Sequence, residues 1–358
     1  MWGENYMKLR DDLQDLAPYT AGKKAPGALK LSSNENPLGP SPLAMESIKS
    51  SVGEIHIYPE GTSAQLRGAL AARDGLDPSQ YLVGNGSDEV LTMIAGAFIN
   101  PGDRGLTAVH TFSEYNFAVR LFGGKMDFFD LNQGALDLKS AQKCLTSRHR
   151  MVFLCNPNNP TGGYFNHESL EEFLAGVPSD LLVVVDEAYR EYSTAGDFPR
   201  TLELLKTYPN LLITRTFSKI YGLAALRVGY AVGAPGLIRD ISVVKQPFNV
   251  GTLNQGAALA ALGDESFLHE SLEINAQGKK FWYKSCEDLG LVYYPTQANF
   301  LAIKVPKPAK EIFTRMIELG VAIRPLDSFG LPGWIRITIG SPEQNQKCLA
   351  AFKISLND

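Results

Sequence analysis

The stretch Leu211-Leu212-Ile213-Thr214-Arg215-Thr216-Phe217-Ser218-Lys219 decides how this chain is read. Its apolar opening reads as a buried strand. Its polar close puts a lysine at the mouth of a sheet, beside hydroxyls and eight residues before Arg227. A lysine ordinarily titrates near ~10.4 and stays solvated. Held among cationic and apolar neighbours, it loses its charge and becomes a nucleophile able to form a Schiff base. Taken alone, Lys219 reads as an exposed surface group, so its companions decide the question.

Working outward, short apolar runs recur at Tyr81-Leu82-Val83, Met151-Val152-Phe153-Leu154, Leu181 to Val185 and Val228 to Val232. Helical spacing falls between them, at Val90 to Phe98, Glu168 to Leu174 and Leu202 to Leu205. Strands that are apolar throughout and separated by helices imply an α/β fold with a mostly parallel sheet covered on both faces. Such sheets bind ligands outside the carboxyl ends of their strands. Towards the C-terminus the pattern changes. Phe300 to Val305 and Trp334 to Ile339 read as strands, Glu311 to Leu319 and Glu343 to Leu356 as helices, and Gly320 closes the first helix. The expected organisation is an N-terminal arm rich in Pro, Gly and Asn (1–40), a large domain (41–260) and a smaller α+β domain (261–358).

The 358 residues suffice for a large core, and a net charge of −4 without a basic run argues against nucleic acid. Cys144, Cys155, Cys286 and Cys348 form no CxxC and no zinc spacing, and no HExxH occurs, so no metal is expected. The scattered thiols and an opening without a signal-peptide pattern imply a cytoplasmic protein. No apolar run is long enough to span a bilayer.

Four strand ends carry unusual polar groups. Gly84-Asn85-Gly86-Ser87-Asp88-Glu89 follows a strand and opens a helix, where free amides and the dipole favour an anion. Glu89 stands where GxGxxG needs its last glycine, so taken alone the motif reads better as a turn capped by Ser87. Asn156-Pro157-Asn158-Asn159-Pro160-Thr161-Gly162 is a proline-fixed loop rich in amides. Val183-Val184-Val185-Asp186-Glu187-Ala188-Tyr189 ends a fully apolar strand on an acid, which needs a partner if buried. Magnesium is one partner, but no GxxxxGK[ST] precedes it. A protonated ring nitrogen is another, and capping the next helix is a third. Lys219 and Arg227 complete the set. Pyridoxal phosphate needs such a set: a lysine, an acid for the pyridine nitrogen, and dipoles with an arginine for the phosphate.

With these residues in hand, the chain resembles the fold-type I pyridoxal-phosphate aminotransferases of class II, and more closely the histidinol-phosphate aminotransferase family. The resemblance runs from Leu16-Ala17-Pro18-Tyr19 to Trp334-Ile335-Arg336-Ile337-Thr338-Ile339-Gly340. It rests on Asn34-Glu35-Asn36-Pro37, Tyr58-Pro59, Gly84 to Glu89, Asn158 to Gly162, Asp186 to Tyr189 and Arg215 to Lys219. It implies that Lys219 bonds to the cofactor and shuttles a proton, and that Asp186 keeps the ring nitrogen protonated. Tyr189 and Asn159 would bond the ring's phenolic oxygen, and Phe112 would stack on the ring. Gly86, Ser87, Asp88, Thr216, Ser218 and Arg227 would form or flank the phosphate cup. Tyr58 would reach the cofactor phosphate of a second subunit, making a homodimer with shared active sites. On the substrate side it implies Arg336 for a carboxylate, Arg324 near the substrate phosphate, Tyr19 covering that phosphate, and Asn36. Asn299 would line the pocket or anchor a turn. His110 departs from the family's usual proline and is expected to loosen or tilt the Phe112 loop.

The function implied is transfer of an amino group between an amino acid or amino-alcohol phosphate and a 2-oxo acid. In particular, a ping-pong exchange between histidinol phosphate and 2-oxoglutarate, in histidine biosynthesis, is expected. Alternatives on the same fold are a threonine-phosphate decarboxylase and a broad or aromatic aminotransferase. A catalytically inactive scaffold is the alternative outside enzymology.

Overall fold

The computed structural model describes residues 7–14, 16 and 27–357. Seven strands make the central sheet. Their order across it is Tyr81–Gly84, Gly229–Gly233, Leu211–Thr216, Leu182–Asp186, His149–Cys155, Arg104–Ala108 and Lys125–Phe129. Along the strands successive side chains point to opposite faces. Val183, Val185 and Ile213 enter one core with Leu66, Leu170, Phe173 and Ala258. Leu182, Val184 and Leu212 enter the other with Val90, Ile94, Val119 and Ile241. Burial on both faces is why these strands read as unbroken apolar runs.

One strand breaks the parallel order. Gly229–Gly233 runs antiparallel to both neighbours. The chain between Thr216 and Gly229 holds only a 3₁₀ turn, Ala224–Leu226, and no crossover helix. It therefore returns at the end of the sheet where it left. Gly229 consequently faces Gly84 on one side and Thr216 on the other. That return brings Arg227 to the same sheet end as Lys219.

The C-terminal region builds a four-stranded antiparallel sheet in the order Tyr293–Tyr294, Phe300–Lys304, Trp334–Thr338, Arg324–Pro325. Its own core joins Trp282, Leu301, Ile303, Ile312, Met316, Ile337 and Phe352. The helix Glu265–Asp288 packs Leu268 on the first core and Trp282 on this one. Near the N-terminus, Leu29–Lys30 pairs in parallel with Val321–Ala322, so this stretch is anchored on the C-terminal unit. Among the described residues no helix is long and apolar enough to cross a membrane.

Under the sheet end lies a buried ion pair. Arg215 is 1% exposed and Glu187 is fully buried. Arg215 Nε donates to Glu187 Oε2 at 2.9 Å, and Thr201 Oγ1 donates to Glu187 Oε1 at 2.8 Å. The pair ties the residue after Asp186 to the residue before Thr216, fastening two strand ends together. Without Arg215, Glu187 keeps only the partly exposed Arg190, 3.3 Å away, and breaking a buried pair typically costs ~3–5 kcal/mol. Arg215→Ala should therefore lose on the order of 3–5 kcal/mol in urea unfolding at neutral pH. Arg215→Met combined with Glu187→Leu should recover much of that loss. A loss under about 1 kcal/mol, the range of an exposed pair, would contradict this role.

Candidate active site

A cleft of about 250 Å³ opens at the carboxyl end of the central sheet. A wider groove of about 800 Å³ lies beside the helices Leu138–Cys144 and His167–Ala175. Several of its polar groups serve the local fold. Asp137 and Asn166 cap those helices, Gln142 bonds Gly176 O, and Tyr164 bonds Asp197. The smaller cleft carries the unusual chemistry.

One wall is a cup for an anion. The helix Gly86–Phe98 points its N-terminus into the cleft. Gly86 has φ +83°, and a Cβ there would fall 2.2 Å from Arg227 Nη2. A Cβ on Gly229 would fall 2.4 Å from Ser87 N. Two glycines thus let the arginine and the neighbouring strand close on the helix end. Ser218 N donates to Thr216 Oγ1 at 3.1 Å, and Thr216 Oγ1 donates to Ser218 Oγ at 3.0 Å. Arg227 reaches Ser218 Oγ at 3.2 Å and Asp88 Oδ2 at 3.0 Å. Ser87 is not the helix cap. Asn85 occupies that position, and its N–H donates to Glu89 Oε2 at 2.5 Å. Ser87 is left one step inside the helix, lining the cleft.

The floor is Asp186, 2% exposed. Its Oδ2 accepts from Tyr115 Oη at 2.7 Å and its Oδ1 from Ala188 N at 3.2 Å. Burial lifts its carboxyl to about 6, against the opposing hydrogen bond from Tyr115. Burial and Asp186 together hold the Tyr115 phenol far above its ordinary range, so it stays a donor. The sequence reading assigned Tyr115 no role. The signal available was a tyrosine on the buried face of the helix Glu114–Leu121, where its hydroxyl needs a partner.

Lys219 Nζ donates to Ser33 O at 3.3 Å and lies 5.4 Å from the Tyr189 ring centre. Tyr189 Oη accepts from Asn34 Nδ2 at 3.0 Å. The expectation for Asn36 needs correcting. Asn36 Nδ2 is spent on Ile220 O at 2.7 Å and Ser271 Oγ at 2.8 Å, so it is a structural anchor away from the cleft. Asn34, two residues earlier, lines the cleft instead, held with φ +60° by Thr338 and Asn299. Asn299 therefore anchors the Asn34 carbonyl.

Phe112, Asn159, Arg324 and Arg336 line the remaining walls. Arg336 donates to Asn159 Oδ1 and, at 2.9 Å, to Ser32 O, with its guanidinium 5.2 Å from the Phe300 ring. Arg324 donates to Ser328 Oγ at 3.4 Å. The Phe329 ring is shared by the two arginines, 5.9 Å from Arg324 and 6.0 Å from Arg336. Tyr58 lies outside the cleft, 80% exposed and stacked on Phe248 at 4.9 Å. Tyr19 lies outside the described residues. His110 does not free the Phe112 loop, because its Nδ1 bonds Phe329 O at 2.7 Å.

The donor set fits pyridoxal phosphate. A cup of hydroxyls, amides and a guanidinium suits a phosphate dianion. A buried carboxylate bonded by the Tyr115 phenol and the Ala188 main-chain amide, neither of them a cation, suits a protonated ring nitrogen. A lysine, Lys219, lines the same cleft.

Comparison with known proteins agrees. The family described as aminotransferase class I and II matches residues 26–352. Histidinol-phosphate aminotransferase of Moorella thermoacetica is 42% identical, over 97% of this chain and 92% of that protein. Its counterpart in Halalkalibacterium halodurans is 43% identical, over 97% of this chain and 96% of that protein. The crystal structure of histidinol-phosphate aminotransferase from Sinorhizobium meliloti, in complex with pyridoxal-5'-phosphate, superposes with a TM-score of 0.90. It is 26% identical and is covered over 99% of each chain.

The raised carboxyl makes a pH prediction. The folded value, about 6, lies above the ordinary 3.8, so folding favours the protonated acid. That contribution is complete below about pH 4 and is lost as pH rises through about 6. In cofactor-free protein, the unfolding free energy of wild type minus that of Asp186→Asn should fall across this window by on the order of 3 kcal/mol. Tyr115→Phe removes a bond that favours the ionised form and should raise the upper edge of the window. Urea titrations at stepped pH measure both, and a difference that stays flat with pH would contradict the assignment.

Proposed function

The chain belongs to the class I and II aminotransferases, with histidinol-phosphate aminotransferases among its relatives, and on that premise we propose how its residues divide the work. It is a pyridoxal-phosphate enzyme that exchanges an amino group between histidinol phosphate and 2-oxoglutarate by a ping-pong cycle, within histidine biosynthesis. When bound, the cofactor supplies an electron-poor ring that draws charge from the substrate carbon losing its proton.

The chain's own groups do the rest. With the cofactor in place, Lys219 Nζ would be its covalent anchor and would carry the proton away from the substrate carbon. Asp186 Oδ1 and Oδ2, kept from water, hold a proton on the ring nitrogen. Tyr115 fixes the angle of that carboxylate. Tyr189 and Asn159 stand ready for the ring's phenolic oxygen, and Phe112 for its face. Gly86, Ser87, Asp88, Thr216, Ser218 and Arg227 seat the cofactor phosphate. Arg336 grips the carboxylate of the 2-oxo acid, Arg324 the phosphate of the amine, and Tyr19 covers that phosphate. The observation that carries this reading is the meeting of an anion cup, a lysine and a buried carboxylate at one end of one sheet.

The same reading makes the enzyme a cytoplasmic homodimer. Tyr58 stands among exposed Ile55, Ile57 and Phe248, an apolar patch suited to a second subunit. From there its hydroxyl reaches the cofactor phosphate of that subunit. The chain divides into the arm 1–40, whose Leu29–Lys30 pairs with the C-terminal unit, the large domain 41–260 and the smaller domain 261–358.

Purified enzyme should transfer the amino group of histidinol phosphate to 2-oxoglutarate, and Lys219→Ala should lower that rate by roughly 10³-fold or more. No turnover with this pair, or release of CO₂ from threonine phosphate without a 2-oxo acid, would overturn the substrate assignment. Tyr58→Phe should weaken cofactor affinity about tenfold, the loss of one hydrogen bond to a charged group. Equilibrium dialysis of the cofactor reads it, and unchanged affinity would remove Tyr58 from the shared site.

A further inference from the structure

We propose that His110 is a positioning residue for the anion-binding arginines, acting across the cleft through Phe329. The inference rests on the reading of Arg324 and Arg336 as the groups that grip substrate anions.

His110 sits just before the Phe112 loop, on the central-sheet side of the cleft. Phe329 belongs to the 3₁₀ turn Asp327–Phe329, which follows Arg324 in the C-terminal unit. A main-chain carbonyl only accepts, so the 2.7 Å contact assigns the imidazole proton to Nδ1. The approach needs a bare backbone beyond Phe329. Gly330 has φ +73°, and a Cβ there would fall 3.0 Å from His110 Nδ1. Two features separated by a long stretch of chain are thus fitted to one contact.

The base of this strut is rigid. His110 O accepts from Asn158 Nδ2 at 3.0 Å, and Thr111 Oγ1 donates to Asn158 Oδ1 at 2.7 Å. The contacts then close a circuit. Asn158 leads to Asn159, whose carbonyl accepts from Arg336, and Arg336 packs over Phe329. Phe329 returns through its own carbonyl to His110. Arg324 also lies against this ring, 5.9 Å from its centre. His110 therefore fixes the one aromatic surface that both arginines share. It touches neither Lys219 nor Asp186, so its loss should loosen the hold on substrate anions and leave the chemical step alone.

Holoenzyme variants test this. His110→Ala should raise KM for histidinol phosphate and for 2-oxoglutarate about tenfold, with kcat held within about twofold. kcat/KM for histidinol, which lacks the phosphate, should stay within about twofold of wild type. His110→Asn places an N–H at the same distance along the side chain as Nδ1, and should restore both KM values to within about twofold. Binding of glutarate, a dicarboxylate with no group to react, should weaken about tenfold in His110→Ala by calorimetry. If the alanine variant does not fold, His110→Leu keeps the bulk without the N–H and takes its place. Equal effects on histidinol and its phosphate, a fall in kcat at constant KM, or an asparagine variant as impaired as alanine would each overturn the proposal. Wild-type kinetics in His110→Ala, while Arg324→Gln loses the preference for phosphate, would overturn it alone. An Arg324→Gln enzyme that keeps that preference would overturn the reading of the arginine and this inference together.

Discussion

Asp186 puts a carboxylate on the almost fully buried floor of the cleft, bonded by a phenol and one main-chain amide. A buried charge of this kind is unfavourable unless a cation or proton meets it. The rest of the site is arranged around that constraint. The strand carrying Asp186 is held to the next by Arg215 and Glu187, so the carboxylate cannot swing out to solvent. The Tyr115 hydroxyl occupies one oxygen and fixes its plane. The cation that this carboxylate calls for is the protonated ring nitrogen of pyridoxal phosphate, which the family binds.

Placement of the other groups follows from the path of the chain. A parallel sheet delivers Gly84, Cys155, Asp186 and Thr216 to one edge. The antiparallel return after Lys219 then adds Arg227 at that edge, where a crossover helix would have delivered it to the far side. Gly86 and Gly229 let the arginine and its strand settle against the helix end. The C-terminal unit brings Arg324, Phe329 and Arg336 over the top. The cleft therefore has a fixed floor from one sheet and an anion-reading roof from another.

Much of this was legible in the sequence, for reasons that are physical. Strands such as Leu182–Asp186 and Leu211–Thr216 are buried on both faces and announce themselves as apolar runs. Lys219, Asp186 and the Gly84–Glu89 turn break such runs with chemistry that has few uses. The strands Arg104–Ala108 and Lys125–Phe129 went unread. The first mixes Arg, Gly and Thr, and the second is an edge strand with Phe128 half exposed. Asn34 and Asn36 stand two apart in one motif, and only the fold shows which amide turns to the cleft and which is spent on Ile220 and Ser271. The partner of Tyr115 lies seventy-one residues on, and that of His110 two hundred and nineteen, beyond what local pattern reports.

The central claim is that the cofactor's ring nitrogen meets the buried carboxylate of Asp186. The most direct measurement is the nitrogen-15 resonance of ring-labelled pyridoxal phosphate bound to wild type and to Asp186→Asn at neutral pH. The account predicts a protonated nitrogen in wild type and a neutral one in the variant. A neutral nitrogen in wild type, or the same resonance in both proteins, would contradict it.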